Sequence, residues 1–226
     1  MPSTLGPSVG LSVLHLFFRS GAGVDRVRVA AAVDSARGAG VQVVTIAMLG
    51  HKADVAIMAL HQDAWLLRDL QTGLAAGGLE LVDSYLSVTE TSEYATDLPD
   101  RMKQARLHPE LPPEDRAAWC FYPMSKGRKP DANWFTLPYH KRRELMYEHG
   151  TSGRKFAGRI LQVVTGSTGL DDFEWGVTLF GQHLDDLKEV VYTLRYDEAS
   201  ALYGEFGVFY TGMVADLEEV LGRTGA

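Results

Sequence analysis

The residues that could do chemistry concentrate between positions 119 and 158. The stretch opens with Trp119-Cys120-Phe121-Tyr122-Pro123-Met124-Ser125-Lys126. Side chains alternate along a strand, so Cys120, Tyr122, Met124 and Lys126 share one face. A buried phenol needs a hydrogen-bond partner and a buried ammonium needs an anion. The row therefore suits the wall of a cavity that holds something anionic. It equally suits an edge strand ending near a proline, with Lys126 in solvent. Spacing alone does not choose between them.

His149 stands at the end of the helix expected over residues 138–149, directly before Gly150. An imidazole there can bond free carbonyls and sit well in the helix dipole. It could also be the single axial ligand of a haem-type iron, whose porphyrin supplies the other donors. The remaining six histidines (His15, His51, His61, His108, His140 and His183) show no chelating His-x-x-x-His spacing. With one cysteine, Cys120, a zinc site has no support, and a Cys–His nucleophilic pair has no motif behind it. Gln162 interrupts the apolar run Ile160-Leu161-Gln162-Val163-Val164; a buried amide there is either a structural knot or a site residue. Arg195 ends the last long helix, and Ser200 follows it. They read as charge compensation and a loop hydroxyl, or as site groups. Gly166-Ser167-Thr168-Gly169 is a turn without the lysine of a phosphate loop.

These groups must be positioned by the rest of the chain. Its 226 residues carry a formal charge of -7 and are 46% hydrophobic and 23% charged, an ordinary composition for a globular protein of one large or two small domains. The acidic balance, without an arginine-rich face, speaks against nucleic acid. One thiol excludes an intrachain disulfide and suits a reducing compartment. No apolar run approaches the ~18 residues of a spanning helix, and no signal peptide is visible. The expectation is a cytoplasmic protein that meets no membrane.

Residues 1–10 read as a loose Gly/Pro-rich arm. Strands are expected at 11–18, 41–49, 54–60 and 79–89, with helices at 24–37 and 63–76, so residues 11–93 spell β-α-β-β-α-β. Residues 94–116, rich in proline, read as a connector. Residues 117–226 repeat the order: strand 118–126, helix 138–149, strands 156–165 and 172–180, helix 184–196, strand 204–212, and a short closing helix at 216–221. Proline at 138 and glycine at 150 sit where a helix starts and stops. The fold class is α+β: two tandem ferredoxin-like halves that can close into one α+β barrel without exposed edges. Tyrosine, lysine and the glycine-flanked histidine cluster only in the second half, so the site is expected there.

Taken together, the residues from about 106 to 212 resemble the chlorite dismutase-like superfamily, in particular its coproheme decarboxylase branch. The resemblance rests on Cys120-Phe121-Tyr122-Pro123-Met124-Ser125-Lys126, on Asn133-Trp134, and on Arg142-Arg143-Glu144-Leu145-Met146 leading to Glu148-His149-Gly150. It continues through Thr165-Gly166-Ser167, the run from Asp171 to Phe180, and Arg195-Tyr196-Asp197-Glu198-Ala199-Ser200. It implies a dimeric α+β barrel, commonly a homopentamer. It implies a substrate, iron coproporphyrin III (coproheme), two of whose propionates are oxidised to vinyls by hydrogen peroxide to give haem b. By the same resemblance His149 is the proximal iron ligand, Tyr122 the catalytic tyrosine, and Lys126 its neighbour beside the propionates. Gln162 lies on the distal side and Met124 packs against the porphyrin. Arg195, Ser200 and, on a weaker match, Arg106 hold propionates, and Glu198 orients His149. A ferrochelatase is a transient partner this would allow. Other readings on the same barrel are a chlorite dismutase, which carries an arginine where Gln162 stands, a peroxidase-like enzyme, and a non-catalytic haem carrier.

Overall fold

The computed structural model describes residues 4–95 and 97–224. The first half runs β1 (Ser12–Arg19), α1 (Arg26–Gly38), β2 (Gln42–Met48), β3 (Val55–His61), α2 (Ala64–Ala76) and β4 (Glu80–Thr89). A linking helix α3 (Asp100–Leu107) follows. The second half runs β5 (Ala118–Lys126), a small ribbon of β6 (Arg128–Lys129) and β7 (Ala132–Asn133), α4 (Tyr139–Arg154), β8 (Ile160–Gly166), β9 (Trp175–Gly181), α5 (Leu184–Leu194), α6 (Glu198–Ala201), β10 (Gly204–Phe206) and β11 (Tyr210–Val214). Helix α7 (Leu217–Arg223) closes the described chain.

The sheet order is β10-β5-β11-β2-β3-β1-β4-β8-β9, and β9 pairs back onto β5. The strands therefore close into a barrel. Each half contributes four neighbours in the ferredoxin-like order: β2-β3-β1-β4 from the first, β8-β9-β5-β11 from the second. Two seams join them. At one, Gly212, Met213 and Val214 of β11 face Met48, Ala47 and Ile46 of β2. A Cβ on Gly212 would lie 2.4 Å from the Ala47 carbonyl oxygen, so this close approach requires glycine. At the other, only Val88–Gly166 and Thr89–Thr165 are paired between β4 and β8. Closure satisfies backbone groups that would otherwise be open edges.

Three apolar layers follow from strand alternation. Phe17, Met58, Trp119, Phe121 and Phe180 fill the barrel. Outside the first half, Val29 and Val33 of α1 and Leu67, Leu70 and Leu74 of α2 meet Leu16, Phe18 and Ile57 of the sheet. Asp25 and Asp63 start these helices by accepting hydrogen bonds from the Arg28 and Trp65 amides. Outside the second half, Ala118, Cys120, Tyr122, Val177 and Leu179 meet Leu187, Val190 and Leu194 of α5. Helix α4 packs chiefly on α5 and α6, and only Leu145 and Ser152 of its 16 residues are buried.

Several expectations need correcting. The connector holds helix α3, whose Leu107 is buried and whose carbonyl accepts from Thr89. Helix α4 does not stop at His149: it continues through Gly150 and Gly153 to Arg154, because glycine in a helix costs only about 1 kcal/mol and tertiary contact outweighs it. The second hairpin strand begins at Trp175, not near residue 172, and α5 ends at Leu194. The last strand is broken into β10 and β11. Of the N-terminal arm, residues 1–3 lie outside the described residues. Leu5 is tied to the body through its carbonyl, which accepts from the Ala64 amide at 2.8 Å.

Candidate functional site

The outer face of the second half's sheet carries the chemistry. Tyr122 faces outward from the middle of β5, next to Val177 of β9 by register. It is 5% exposed. Its ring stacks on Phe209, centroids 4.4 Å apart, and meets Phe206 edge-on at 5.8 Å. Among the described residues its hydroxyl has no hydrogen-bond partner. Burial pushes its ionisation well above the ordinary phenol range, so at neutral pH it holds its proton. Met124, half-buried, lies two residues along the same face and packs on this layer.

Lys126 completes the row, and it is 6% exposed rather than solvated. Its ammonium donates to the Ala199 carbonyl at 2.6 Å and sits 4.5 Å above the Trp134 ring. Trp134 is itself packed with Leu145, Ala199 and Tyr203. The carboxylate that acts on Lys126, Glu174, is engaged elsewhere: it accepts from the Lys126 amide and from Arg128. The ammonium is thus held by a carbonyl and a ring, and among the described residues no carboxylate is in contact with it. Burial lowers its pKa to about 8, with Glu174 opposing.

His149 lies one turn before the end of α4, its side chain 26% exposed. Its Nδ1 is 3.2 Å from Asp197 Oδ2, although the two are not aligned as a hydrogen bond. Ser200 Oγ is 3.5 Å from the same nitrogen, at the limit of a hydrogen bond. Burial and the charge of Lys126 lower the histidine's pKa; Asp197 pulls the other way. The imidazole is therefore neutral at pH 7. With Nδ1 turned to Asp197 and Ser200, Nε2 is the nitrogen left to serve as a donor to a metal.

Gln162 and Val164 project from the outer face of β8, and both are exposed, Val164 by 42%. Gln162 is thus no buried knot. Its register partner is Leu179, which pairs in turn with Cys120. The amide shares the face of Tyr122 on a strip that α4 leaves open. Cys120 itself is buried, its thiol raised to about 11, and is inert.

The structure thus groups Lys126, His149 and Ser200 and places Tyr122, Met124 and Gln162 on the adjoining sheet face. It does not bring Arg195 or Arg106 into contact with them. Arg195 lies on the surface against the rings of Tyr192 and Tyr196, at 3.9 and 5.0 Å, and donates to the Tyr196 hydroxyl. Arg106 is exposed on α3. The carboxylate beside His149 is Asp197, not Glu198, a difference of one residue that the sequence spacing left open. Asp197, Ser152 and Trp134 are the groups that sequence reasoning missed. For Asp197 a signal existed: a short acid directly before a helical turn.

Two concavities lie apart from this cluster. One, of about 540 Å³, is lined by Arg116, Gln182, His183 and Val214 at the opposite end of β5. A smaller one, of about 220 Å³, lies at Met48–Lys52 and Phe209–Thr211 and shares only Phe209 with the surroundings of Tyr122. Neither holds the histidine, lysine or tyrosine. The chemistry borders an open face, so hollow volume does not locate it.

Fold and cluster together define a closed α+β barrel of two ferredoxin-like halves, with a neutral histidine beside an open sheet face in the second half. The family model described as chlorite dismutase matches residues 25–215, and the chain belongs to that family. A heme-binding protein from Thermus thermophilus is 32% identical, with a TM-score of 0.86 and 96% of each chain covered. An arginine-substituted variant of the chlorite dismutase from Candidatus Nitrospira defluvii shares the fold at 18% identity, TM-score 0.74, again over 96% of each chain. A putative chlorite dismutase, TA0507, is 19% identical with a TM-score of 0.77, covering 95% of this chain and 99% of its own. No described helix is long and apolar enough to cross a membrane.

Proposed function

We propose that the protein is a coproheme decarboxylase: it takes iron coproporphyrin III and converts two propionates to vinyls, giving haem b. The observation that carries this reading is the joint placement of a protonated, buried Tyr122 on the open sheet face and a neutral His149 at its border. The residues fit a porphyrin. His149 offers one neutral nitrogen from a helix, which is what an axial ligand requires. The strip left open by α4 offers Val164 for a flat apolar ring and Gln162 as a neutral amide. Similarity to a heme-binding protein at 32% identity supports the same ligand class.

The bound iron, with hydrogen peroxide as oxidant, supplies the oxidising power. For each propionate, R–CH2–CH2–COOH and hydrogen peroxide give R–CH=CH2, carbon dioxide and two waters. Tyr122 would give up a hydrogen atom, its electron going to the oxidised iron, and then take one from the propionate carbon next to the ring. That carbon radical would pass a second electron to the iron and its carboxyl a proton to solvent, and loss of carbon dioxide would leave the vinyl. Its aromatic surroundings, Phe209 and Phe206, exclude water from the phenol and keep it protonated until that step. His149 would hold the substrate's iron, with Asp197 Oδ2 3.2 Å from its Nδ1. Gln162, uncharged, gives no electrostatic help to an oxyanion such as chlorite. Arg195, Arg106 and Ser200 are proposed propionate contacts; the two arginines, exposed on the surface, would have to swing inward. Residues 1–10, 11–93, 94–116 and 117–226 remain the proposed division of the chain, and homopentamers, cytoplasmic residence and transfer from a ferrochelatase belong to the same proposal.

One observation favours a second reading. Lys126 turns its ammonium to Ala199 and Trp134, which suits a structural tie better than a propionate contact. A haem carrier would need no more. The deciding experiment adds hydrogen peroxide stepwise to the protein loaded with iron coproporphyrin III and follows porphyrin mass. Two successive losses of carbon dioxide and two hydrogens support the decarboxylase; tight binding at constant mass supports the carrier.

A further inference from the structure

Asp197 precedes α6 with backbone angles suited to a helix cap (φ -66°, ψ 136°), yet its carboxylate makes no bond to that helix. It turns to α4 instead. Oδ1 accepts a hydrogen bond from Ser152 Oγ at 2.8 Å, and Oδ2 lies 3.2 Å from His149 Nδ1. Ser152 and His149 are three residues apart on one helix, hence neighbours on one face, and the carboxylate bridges them. Asp197 and Ser152 are 7% and 9% exposed. Oδ2 is buried without an aligned donor, and a small turn of the His149 ring would supply one. Serine is a poorer helix former than alanine, so its placement at a buried position calls for a reason. The continuation of α4 beyond Gly150 is what delivers it.

We infer that Ser152 is a positioning residue for His149, acting through Asp197. Resting on the haem reading above, the inference extends it one shell outward. The Ser152 hydroxyl fixes the rotamer of Asp197 so that Oδ2 meets Nδ1–H. That contact selects the tautomer with Nε2 free for iron and strengthens its donation. The other polar groups at the ring are the Ser200 hydroxyl and the charge of Lys126. Ser200, at 3.5 Å, does not replace a carboxylate.

The test loads the full chain with iron coproporphyrin III without peroxide, reduces it, and records the iron–histidine stretch by resonance Raman. Porphyrin loss to an excess apo-globin is timed in parallel. Asp197→Asn should lower the stretching frequency and speed porphyrin loss by about 10- to 100-fold. Ser152→Ala should shift the band in the same direction by a smaller amount and speed loss a few-fold, and Ser152→Thr should restore both. Without porphyrin, ring nitrogen shifts in the NMR spectrum should show His149 Nδ1 protonated, with the Nε2 tautomer gaining population in Ser152→Ala. A band unmoved by Ser152→Ala while Asp197→Asn shifts it makes the serine a mere tie between α4 and α6, and overturns the inference. A band that survives His149→Ala overturns the assignment of His149 as iron ligand, and failure of the chain to retain the porphyrin at all overturns the haem reading, both distinct failures.

Discussion

The two halves share one element order and differ in how their helices meet the sheet. In the first, α1 and α2 both seat on the strands and pack on each other so closely that a Cβ on Gly73 would lie 2.7 Å from that of Ala32. In the second, α5 seats alone, and α4 leans on α5 and α6. The cause is visible in the side chains. Helix α2 buries Leu67, Leu70 and Leu74 over 13 residues, whereas α4 has a single buried apolar residue, Leu145, over 16. A helix without an apolar stripe has no drive to cover a sheet. The same architecture thus yields a sealed half and an open one, and all the candidate chemistry lies on the open one. Stability and function are divided between the copies.

The sharpest test of that division is Tyr122→Phe. It should leave porphyrin binding intact and reduce decarboxylation to background, read by porphyrin mass; turnover at the normal rate would remove the phenol from the proposal. Next, the sealed half should respond through stability alone. Leu74→Ala, at a fully buried position, should cost about 2–5 kcal/mol in chemical denaturation while the Soret spectrum of the folded loaded protein stays unchanged. The mirror experiment is Val164→Lys on the open face: unfolding should move by no more than about 0.5 kcal/mol, but porphyrin affinity should fall. Loss of stability there instead of affinity would mean that the strip is covered in the native protein.

A smaller effect tests the cost of the site. Lys126 has a folded pKa of about 8 against an ordinary 10.5. Between these values the unfolded chain binds more protons, so stability of the porphyrin-free protein should rise as pH increases from about 8 to 10. Below about 8 both states are protonated and the buried ammonium weakens the fold in full. Lys126→Met should therefore gain of order 1–2 kcal/mol at pH 7 and flatten that rise, measured by denaturation across pH. An unaltered slope would mean that the ammonium reaches solvent.

Much of this was legible in the chain. The short apolar runs of Ser12–Arg19 and Gln42–Met48, buried on both faces, and the leucine spacing of α2 announce their elements. Barrel closure followed from counting two sets of strands. Gln162 misled, since an apolar run suggests burial on both faces, while here one face is bare. Ser152 was not legible, and Asp197 only as a short acid before a turn: they meet across 45 positions of sequence, through a helix that runs past Gly150, a residue of the kind that ordinarily stops one. The role of Lys126 was half legible. Its face was predicted, but its partner, a carbonyl on α6, has no signature in side-chain type.

The two seams of the barrel are unequal in backbone pairing, three residue pairs between β11 and β2 and two between β4 and β8. Viewed mechanically, the wall is a zipper with one short end, clasped from inside by the Thr165–Ser87 hydroxyl contact and from outside by Trp175 on Glu90. Under load, or in the slow breathing that hydrogen exchange records, Thr89 and Thr165 should release first. Strand β8, with Gln162 on it, can then lift as a flap hinged along β9 while the first half keeps its shape.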